Sequence, residues 1–491
     1  MKKLIALLLA LVLVMGLVAC TSNPTPTETQ SNKPTETNPP APSGGDTPTT
    51  EPAKDYPPEV TKPVTIEWWM TFGSGANYNN LMLIVDEFNK NNEWGITVNP
   101  SHQGSYSQVL TKVMTDIASG TNPVLITMSE SGTGTLGLRN QLQDLAPYIE
   151  RDNMDFGDFH SGLTQALLVN DVDGDGVDEI LGVPYCRSVT LCYYNMKIMS
   201  QVGYSDYSKI PTTLEELVPI WKQIKEKTGA YGICLLKDPS YYQCGMIQSL
   251  AVKNFGKTNG GVIGADGISA PMLTDGTFQK FMSDWKSWCD QGLCWVYTTS
   301  DASANASKLL QSNLAASLTQ SSGNLSSQIK AFTDDVQGVG LTIADLGATL
   351  MPGYGGVGAR AGGGNLGIIP ANHTAEEIDA AWKFVQYAAF DPEVTARSAI
   401  NTGYVCTTKS GLATQTWKDA VAAQPLLNIA NGKVDQAYDA TLGYYRSNWN
   451  TYLGQLMDKV IADPDNTESI ASLISDAASE APYYLDPKWV E

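Results

Sequence analysis

The sequence has little histidine, few basic residues and only one long apolar run. Its histidines, His102, His160 and His373, are scattered and none lies beside a cysteine pair, which argues against a zinc site. The chain has 31 Lys and Arg against 51 Asp and Glu, and the net charge of −20 argues against nucleic acid or anionic lipid as a partner. A nucleophile elbow, a phosphate-binding loop and a zincin helix are also missing, so the linear signatures of catalysis are absent.

Cysteine occurs in an odd number once position 20 is set aside. The remaining cysteines are Cys186, Cys192, Cys234, Cys244, Cys289, Cys294 and Cys406. At least one thiol therefore has no partner within the chain. The spacings Cys186–Cys192 and Cys289–Cys294 permit disulfides without requiring them, and the pairing stays open.

The first residues predict export. Two lysines precede an almost unbroken apolar run, Leu4–Val18, which is shorter than a membrane-spanning helix and typical of a secretory signal over 1–19. The run ends in Leu-Val-Ala-Cys, the bacterial lipobox pattern, in which the cysteine, here Cys20, is acylated and becomes the mature N-terminus. The alternative is an ordinary secretory signal with Cys20 present by coincidence. No later apolar run has spanning length, so the lipid would be the only membrane attachment.

A Thr- and Pro-rich segment at 20–63 follows the lipobox. It has too little apolar surface to offset the entropy of ordering, so we expect a disordered tether behind the lipidated Cys20. The roughly 430 residues that remain are too many for one small core and predict two lobes.

The folded part begins with alternating strands and helices. They are predicted at Val64–Trp69, Leu81–Asn91, Ile96–Val98, Ser107–Ser119 and Val124–Met128. This order is typical of an α/β layer with a parallel sheet, in which ligands bind at the carboxyl ends of strands. The corresponding predicted loops are Ser101–Tyr106 and Ser129–Thr135. Farther along, a Gly-rich stretch, Gly353–Gly367, precedes a predicted helix at Thr374–Ala389.

Six segments in this order resemble one protein family. They are HQGSYSQVL (102–110), ASGTNPVLITMSESGTGTL (118–136), GVPYCRSVTLCYYN (182–195), SSGNL (321–325), AGGGNLGII (361–369) and TGYVCTTKSG (402–411). The chain resembles the family 1 extracellular solute-binding proteins of ABC transporters. Within that family it is similar to the glycerol-3-phosphate- and carbohydrate-binding lipoproteins. The resemblance extends from about Val64 into the C-terminal region.

The resemblance implies an α/β, two-lobed, periplasmic-binding-protein-like fold of type II, whose lobes are joined by hinge crossovers and close on ligand. Lobe 1 would comprise 64–187 plus 321–390, and lobe 2 would comprise 188–320 plus 391–491. The chain would cross near Pro184–Ser188, return near Ser317–Gly323 and cross again around Phe390.

The resemblance also implies a ligand site. The implied contacts are Tyr106, Glu130, Ser188, Tyr242, Ser322, Gly363, Gly364, Tyr404 and Arg446. Glu130 would accept hydrogen bonds from diol hydroxyls, and Arg446 would suit a phosphate because a guanidinium binds it in a bidentate way. Each position also has a plainer explanation. Tyr106 and Tyr404 fit core aromatics, Glu130 a surface acid, and Arg446 a helix cap or ion-pair partner.

Aromatic residues leave the ligand open. Tyr241, Tyr242 and Met246 stand where the glycerol-3-phosphate protein of the family has tryptophans, so sugars and phosphodiesters stay open beside glycerol phosphate. Trp68 fits the core of its strand, whereas Trp69, at the strand end, is a candidate stacking surface for a sugar.

The segment DVDGDGVDEI (171–180) stands apart from these motifs. Its predicted calcium ligands are Asp171, Asp173, Asp175, the carbonyl of Val177, and Glu179, in a spacing that directs oxygens at one hard cation. The acid of the EF-hand twelfth position is missing, and the spacing resembles the calcium loops of integrin-type propellers. The alternative is an acidic hairpin turn. A structural calcium is the only cofactor expected.

Together these patterns predict a secreted, lipid-anchored protein on the extracellular face of the membrane. It would be a monomer that binds a small polar solute, a sugar or a glycerol phosphate, and passes it to ABC permease subunits. It would not bind nucleic acid and would not be an enzyme. The alternative is a surface carbohydrate-binding or glycoside-hydrolysing lipoprotein, because paired carboxylates leave no linear motif.

Overall fold

The computed structural model describes residues 56–164, 167–169, 178–256, 269–295, 301–438, 446–462 and 469–485. The strands in these ranges are β1 (Thr65–Met70), β2 (Thr97–His102), β3 (Leu125–Ser129), β4 (Leu168–Val169), β5 (Glu179–Ile180), β6 (Val183–Asn195), β7 (Ile233–Leu235), β8 (Cys294–Trp295), β9 (Ser317–Ser321), β10 (Leu346–Leu350) and β11 (Ala361–Ile368).

The α-helices of the same ranges surround these strands. They are α1 (Gly75–Asn91), α2 (Tyr106–Ser119), α3 (Glu130–Gly137), α4 (Ala146–Arg151), α5 (Ser161–Thr164), α6 (Met196–Met199), α7 (Leu214–Thr228), α8 (Cys244–Phe255), α9 (Thr277–Asp290), α10 (Ala302–Gln311), α11 (Leu325–Thr333), α12 (Ala375–Val385), α13 (Pro392–Thr402), α14 (Lys409–Ala413), α15 (Gln415–Ala423), α16 (Asn428–Asn431), α17 (Arg446–Ala462) and α18 (Ile470–Leu485).

The predicted opening α/β layer is confirmed. β1 pairs in parallel with β2 on one side and with β3 on the other. The apolar face predicted for α1 is buried, and it comprises Leu81, Ile84, Val85 and Phe88. α2 ends at Gly120, whose φ of 75° gives the left-handed C-cap that glycine favours.

One segment differs from its prediction, and a second forms a strand that the sequence pattern did not assign. Ser129–Thr135, predicted as a loop, forms the end of β3 and most of α3, because Ser129 caps the helix and its glycines are buried against the sheet. The Gly-rich stretch Gly353–Gly367 ends in a strand, β11, which obtains its hydrogen-bond partners from β3 and β6 on either side.

The long strand β6 joins two parts of one curled sheet, whose order is β2-β1-β3-β11-β6-β9-β7-β8, with β10 also on β6. Its first residues, from Val183 to Val189, pair with β11. Its later residues, from Thr190, pair with β9 and then also with β10. The strand therefore changes partners between Val189 and Thr190.

Each part of the sheet has its own hydrophobic core. The first core contains Trp68, Phe88, Trp382 and Phe384, and a smaller cluster around Trp69 packs on the same part of the sheet. The second core contains fully buried Tyr193, Trp221, Phe278, Phe281 and Phe332. We call these two parts the first and second lobes.

The predicted lobe boundaries differ from this packing at one segment. The prediction places residues 321–390 as a whole in lobe 1, but Leu325, Leu346 and Ala361 belong to the second core. The cause is β10, which pairs antiparallel with the later half of β6 and so holds the chain in the second lobe. The chain returns to the first lobe along β11. Near the third predicted crossing, α13 contacts both cores, through Val394 in the first and Ala399 in the second.

Several predictions fall on residues that the structure does not describe. They are the signal at 1–19 with Cys20, the tether up to residue 55, and the calcium positions Asp171, Asp173, Asp175 and Val177. Glu179 is described and lies buried in β5. Within the described ranges, no group of metal-ligating side chains is present and no helix is both long and apolar enough to cross a membrane. The seven cysteines outside the lipobox are all described and are free thiols.

Candidate functional site

The predicted ligand residues converge where β6 passes from one lobe to the other. Arg187 and Ser188 of β6 lie opposite Gly363 and Gly362 of β11, and Thr190 lies opposite Ser321 at the end of β9. Tyr106 begins α2 and Glu130 begins α3, at the carboxyl ends of β2 and β3. We call the group formed here the crossover cluster: Tyr106, Glu130, Arg187, Ser188, Tyr241, Tyr242, Ser322, Gly363, Gly364 and Tyr404.

Two glycines let the backbone approach its neighbours closely in the crossover cluster. Gly363 has a φ of 118°, and a Cβ there would lie 2.3 Å from the Cys186 carbonyl oxygen. A Cβ on Gly364 would lie 2.7 Å from the Tyr106 hydroxyl. A side chain at either position would therefore displace β6 or Tyr106.

Three buried hydroxyl groups of the cluster bond to neighbouring protein groups. Ser188 Oγ lies 2.7 Å from the Tyr241 hydroxyl and 3.3 Å from the Gly362 carbonyl oxygen. Ser322 Oγ accepts a 3.1 Å hydrogen bond from the Val189 amide. The Tyr242 hydroxyl accepts a 3.1 Å bond from the Ser321 amide. These groups fix the crossover in position.

Four other polar side chains of the cluster keep some exposed surface. Tyr106, Glu130, Tyr241 and Tyr404 are half-buried, and the Tyr404 ring packs on Gly323, where a Cβ would lie 2.6 Å from it. Burial raises the pKa of Tyr241 to about 12 and raises the pKa of Tyr106 and Tyr404 as well. These hydroxyls are therefore neutral at physiological pH, and each can donate and accept hydrogen bonds.

An ion pair that the sequence interpretation missed lies at the centre of the cluster. The Arg187 side chain has no exposed surface, and its Nη1 donates to Glu130 Oε1 and, at 3.4 Å, to the Gly363 carbonyl oxygen. Arg187 is the only charged residue in the strand sequence VPYCRSVTLCYYN. An isolated charge in such a run needs a buried partner, and this was the signal for it. Tyr241, which the sequence interpretation names beside the family's tryptophans but not among the implied contacts, also belongs to the cluster.

Two other predicted residues, Arg446 and Trp69, are not assigned to the crossover cluster. Arg446 is the first residue of α17, and its side chain is outside the described part of the chain. Trp69 is 7% exposed and packs in the first lobe, with Lys112 Nζ 3.5 Å from its ring centroid. That ring face is occupied, so Trp69 is not a free stacking surface.

A small pocket adjoins the cluster between α1, β6 and α13. Its lining includes Cys186 and Tyr404 together with Asn77, Ser398 and Thr402. Asn77 Oδ1 and Ser398 Oγ are buried and have no hydrogen-bond partner among the described residues. The cluster therefore continues into a polar recess on the side of the first lobe.

The chain is similar in sequence to a known protein family and to a known periplasmic binding protein. Residues 84–425 match the family model described as bacterial extracellular solute-binding protein. The sn-glycerol-3-phosphate-binding periplasmic protein UgpB of Yersinia pestis bv. Antiqua is 24% identical over 335 residues, which cover 66% of this chain and 69% of that protein.

Solved structures share the fold at lower identity. UgpB from Mycobacterium tuberculosis, in complex with glycerophosphocholine, superposes with a TM-score of 0.68 at 17% identity and covers 87% of this chain and 99% of that one. The GacH receptor of Streptomyces glaucescens, solved with acarbose, gives 0.68 at 16% identity over 86% of this chain and 98% of that one. MalE from Xanthomonas citri gives 0.64 at 18% over 87% and 98%. The fold is the predicted two-lobed α/β fold, and the chain belongs to the bacterial extracellular solute-binding protein family.

Proposed function

We propose that this protein is the substrate-binding receptor of an ABC importer, which captures a carbohydrate or a glycerol-phosphate-type solute between its lobes and delivers it to the permease. The observation that supports this most is the crossover cluster itself. It gathers neutral hydroxyls, close-packed glycine backbone and one carboxylate at the strand where the two lobes meet. A solute bound there contacts both lobes, so its binding energy favours closure.

The relatives support the solute class. The proteins matched by sequence bind sn-glycerol 3-phosphate, and structures with the same fold hold glycerophosphocholine or acarbose. All of these ligands are small and rich in hydroxyl or phosphate oxygens. Tyr106, Tyr241, Tyr404 and Glu130 offer the donors and acceptors that such a ligand requires.

A non-catalytic role fits the cluster better than glycoside hydrolysis. Hydrolysis of a glycosidic bond requires two carboxyl groups on either side of it. The crossover cluster holds one, Glu130, and its carboxylate is bound to Arg187. The second candidate function is that of a surface carbohydrate-binding or glycoside-hydrolysing lipoprotein. Turnover of an oligosaccharide would establish the hydrolysing activity.

The test is a thermal-shift panel of glycerol phosphates, glycerophosphodiesters and oligosaccharides, with product analysis of each sugar. A true ligand at about 100 times its Kd stabilises the protein by about 2.7 kcal/mol. Two matched variants locate the site. Tyr241→Phe removes the hydroxyl beside Ser188, and Tyr354→Phe removes a hydroxyl that donates to Asp284 at 2.8 Å, outside the cluster. We expect only Tyr241→Phe to reduce the ligand-dependent shift. No saturable shift with any compound would contradict the proposal.

We further propose that Cys20 is acylated, that the tether holds a monomeric receptor at the extracellular face of the membrane, and that no nucleic acid is bound. Incorporation of labelled palmitate into the wild-type chain, and its loss in Cys20→Ser together with release of the protein into the medium, tests the anchor. Equal membrane retention of both forms would contradict it.

A further inference from the structure

Arg187 has an unusual position for a charged side chain. It has no exposed surface, and its hydrogen bonds to Glu130 and to the Gly363 carbonyl oxygen both come from Nη1. Its Nε and Nη2 are buried and have no hydrogen-bond partner among the described residues. The guanidinium therefore depends on Glu130 for its charge compensation and keeps unused donors beside the site.

Glu130 is the exposed member of this ion pair. Its side chain is 20% exposed, whereas that of Arg187 is fully buried. Tyr106 and Tyr241 are half-buried, and their hydroxyls lie close enough to Glu130 and Arg187 for both charges to influence their pKa. A solute that approaches the cluster therefore meets a carboxylate, and the positive charge lies behind it.

The chemistry of that surface discriminates by charge. An ionised carboxylate only accepts hydrogen bonds, so it binds hydroxyl groups. A phosphate group carries negative charge on its acceptor oxygens at neutral pH, so beside Glu130 it would be placed against a like charge, which specific sites use to reject wrong partners. The buried guanidinium holds the carboxylate in place.

We propose that the Arg187–Glu130 pair sets the charge preference of the site. Arg187 is a positioning residue that holds Glu130 toward the cleft, and the pair favours a neutral, hydroxyl-rich solute over an anionic one. This inference rests on the proposed function, because it assumes that the crossover cluster binds the solute. It also predicts a reversal. Without the carboxylate, the free Nε and Nη2 donors and an uncompensated positive charge favour an anion.

The experiment measures Kd by calorimetry for maltotriose, acarbose, sn-glycerol 3-phosphate and glycerophosphocholine. The selectivity is the Kd of sn-glycerol 3-phosphate divided by that of the best neutral sugar. In Glu130→Gln we expect the sugar to bind about tenfold more weakly, because a charge-assisted hydrogen bond is lost, and sn-glycerol 3-phosphate to bind more tightly. A merely structural role for the pair would weaken both ligands by the same factor.

Further variants separate charge from packing. Arg187→Lys keeps a cation that can pair with Glu130, and Arg187→Met keeps the volume without the charge. We expect Arg187→Lys to keep the order of ligand preference and Arg187→Met to lose sugar affinity. Because Arg187→Met is the variant most prone to misfold, its circular dichroism is checked first, and the Lys and Gln variants decide the question without it. Glu87→Gln breaks a bidentate pair with Arg397 away from the cluster, and its selectivity should equal that of the wild type.

The outcomes distinguish the inference from the proposed function. If no compound binds the wild-type chain, the proposed function is overturned and the inference with it. If the wild type binds a panel compound but Glu130→Gln changes both ligand classes equally, only the inference is overturned. The wild type could also prefer sn-glycerol 3-phosphate, with this binding lost in Arg446→Ala. That result would assign phosphate binding to Arg446 and would overturn the inference alone.

Discussion

Two buried ion-pair sites differ in how completely their hydrogen bonds are used. In the first lobe, Asp152 accepts bonds from Arg151 at 2.8 Å, Trp382 at 2.9 Å, Lys383 at 3.0 Å and Gln386 at 2.7 Å. In the crossover cluster, Glu130 and Arg187 share one short contact, and two guanidinium nitrogens have no partner among the described residues.

The first network also ties distant segments together. Arg151 donates to the Pro57 carbonyl at 3.0 Å and to Asp379 at 2.6 Å, and Asp379 accepts from the Val60 amide at 2.7 Å. A buried charge is stable only when it is paired and hydrogen-bonded, so a saturated network of this kind stabilises the fold. The unsaturated pair gives up part of that stability, and its spare donors lie buried within the crossover cluster. The share of hydrogen-bonding atoms that have partners thus distinguishes the Asp152 network, which supports the fold, from the crossover cluster.

The largest expected effect tests the scaffold. Asp152→Ala should lower the free energy of unfolding by about 3–5 kcal/mol, because it leaves Arg151 and Lys383 buried without their shared acceptor. Urea unfolding followed by circular dichroism measures it. The control is Asp334→Ala, which breaks an exposed i,i+4 pair with Lys330 and should cost about 0.5 kcal/mol. Equal losses in the two variants would contradict the comparison.

Acidification should remove part of the same stabilisation. Burial alone would raise the pKa of Asp152, but hydrogen bonds from Arg151, Trp382 and Lys383 outweigh it and hold that pKa well below its usual range. A depressed folded-state pKa stabilises the fold above the unfolded pKa, about 4, and this contribution is lost as the pH falls further. The stability difference between the wild type and Asp152→Asn should therefore shrink from pH 5 to pH 2. Urea titrations at fixed pH test this, and a constant difference would contradict it.

A smaller stability effect is expected in the crossover cluster. Glu130→Gln should cost less, about 1–2 kcal/mol, because glutamine keeps the side-chain volume and an oxygen that accepts from Arg187, whereas Asp152→Ala removes both. The measurement is the same urea unfolding. We expect Glu130→Gln to change the ligand preference more than Asp152→Ala does and to reduce the free energy of unfolding less. That result would support different roles for the two ion-pair sites. A loss as large as that of Asp152→Ala would show that the cluster is also a main support of the fold.

The smallest effect concerns the predicted calcium ligands of the segment at 171–180. We propose that a bound cation compensates the charge of these acids. If Asp171, Asp173, Asp175, Val177 and Glu179 bind calcium, EDTA should lower Tm. With Ca²⁺ at about three times its Kd, the linkage relation gives about 0.8 kcal/mol. Differential scanning fluorimetry with EDTA, and with Ca²⁺ restored, measures it. An unchanged Tm, equal to that of Asp173→Asn, would favour the acidic turn instead.

The predictable part of the fold is the part that local patterns determine. The helix at 75–91 shows its apolar face in the spacing of Leu81, Ile84, Val85 and Phe88, and Thr374 with Glu377 forms the capping box that starts α12. α3 could not be predicted in this way. Its glycines disfavour a helix, and burial of Gly132 to Gly137 against the sheet overrides that preference.

The composition of the crossover cluster was predictable only where the family motifs name its residues. Tyr106, Glu130, Ser188 and Gly363 do come together at one strand. The partner of Glu130 was not predicted, because residues 130 and 187 meet only through the order of β3, β11 and β6 in the sheet. The return of the chain along β11 was missed for the same reason. Pairing of β10 with β6 is a long-range contact without a local signal.

The single strand β6, Val183–Asn195, has a consequence for how this molecule can evolve. Side chains alternate across a strand, so one inserted residue would turn every later side chain to the opposite face. An insertion before Arg187 would put the wrong residues into the crossover cluster and into the second core at once. Substitutions within β6 meet no such barrier. New specificities should therefore arise by exchange of side chains around a strand of fixed length, while changes in length are confined to the surface loops.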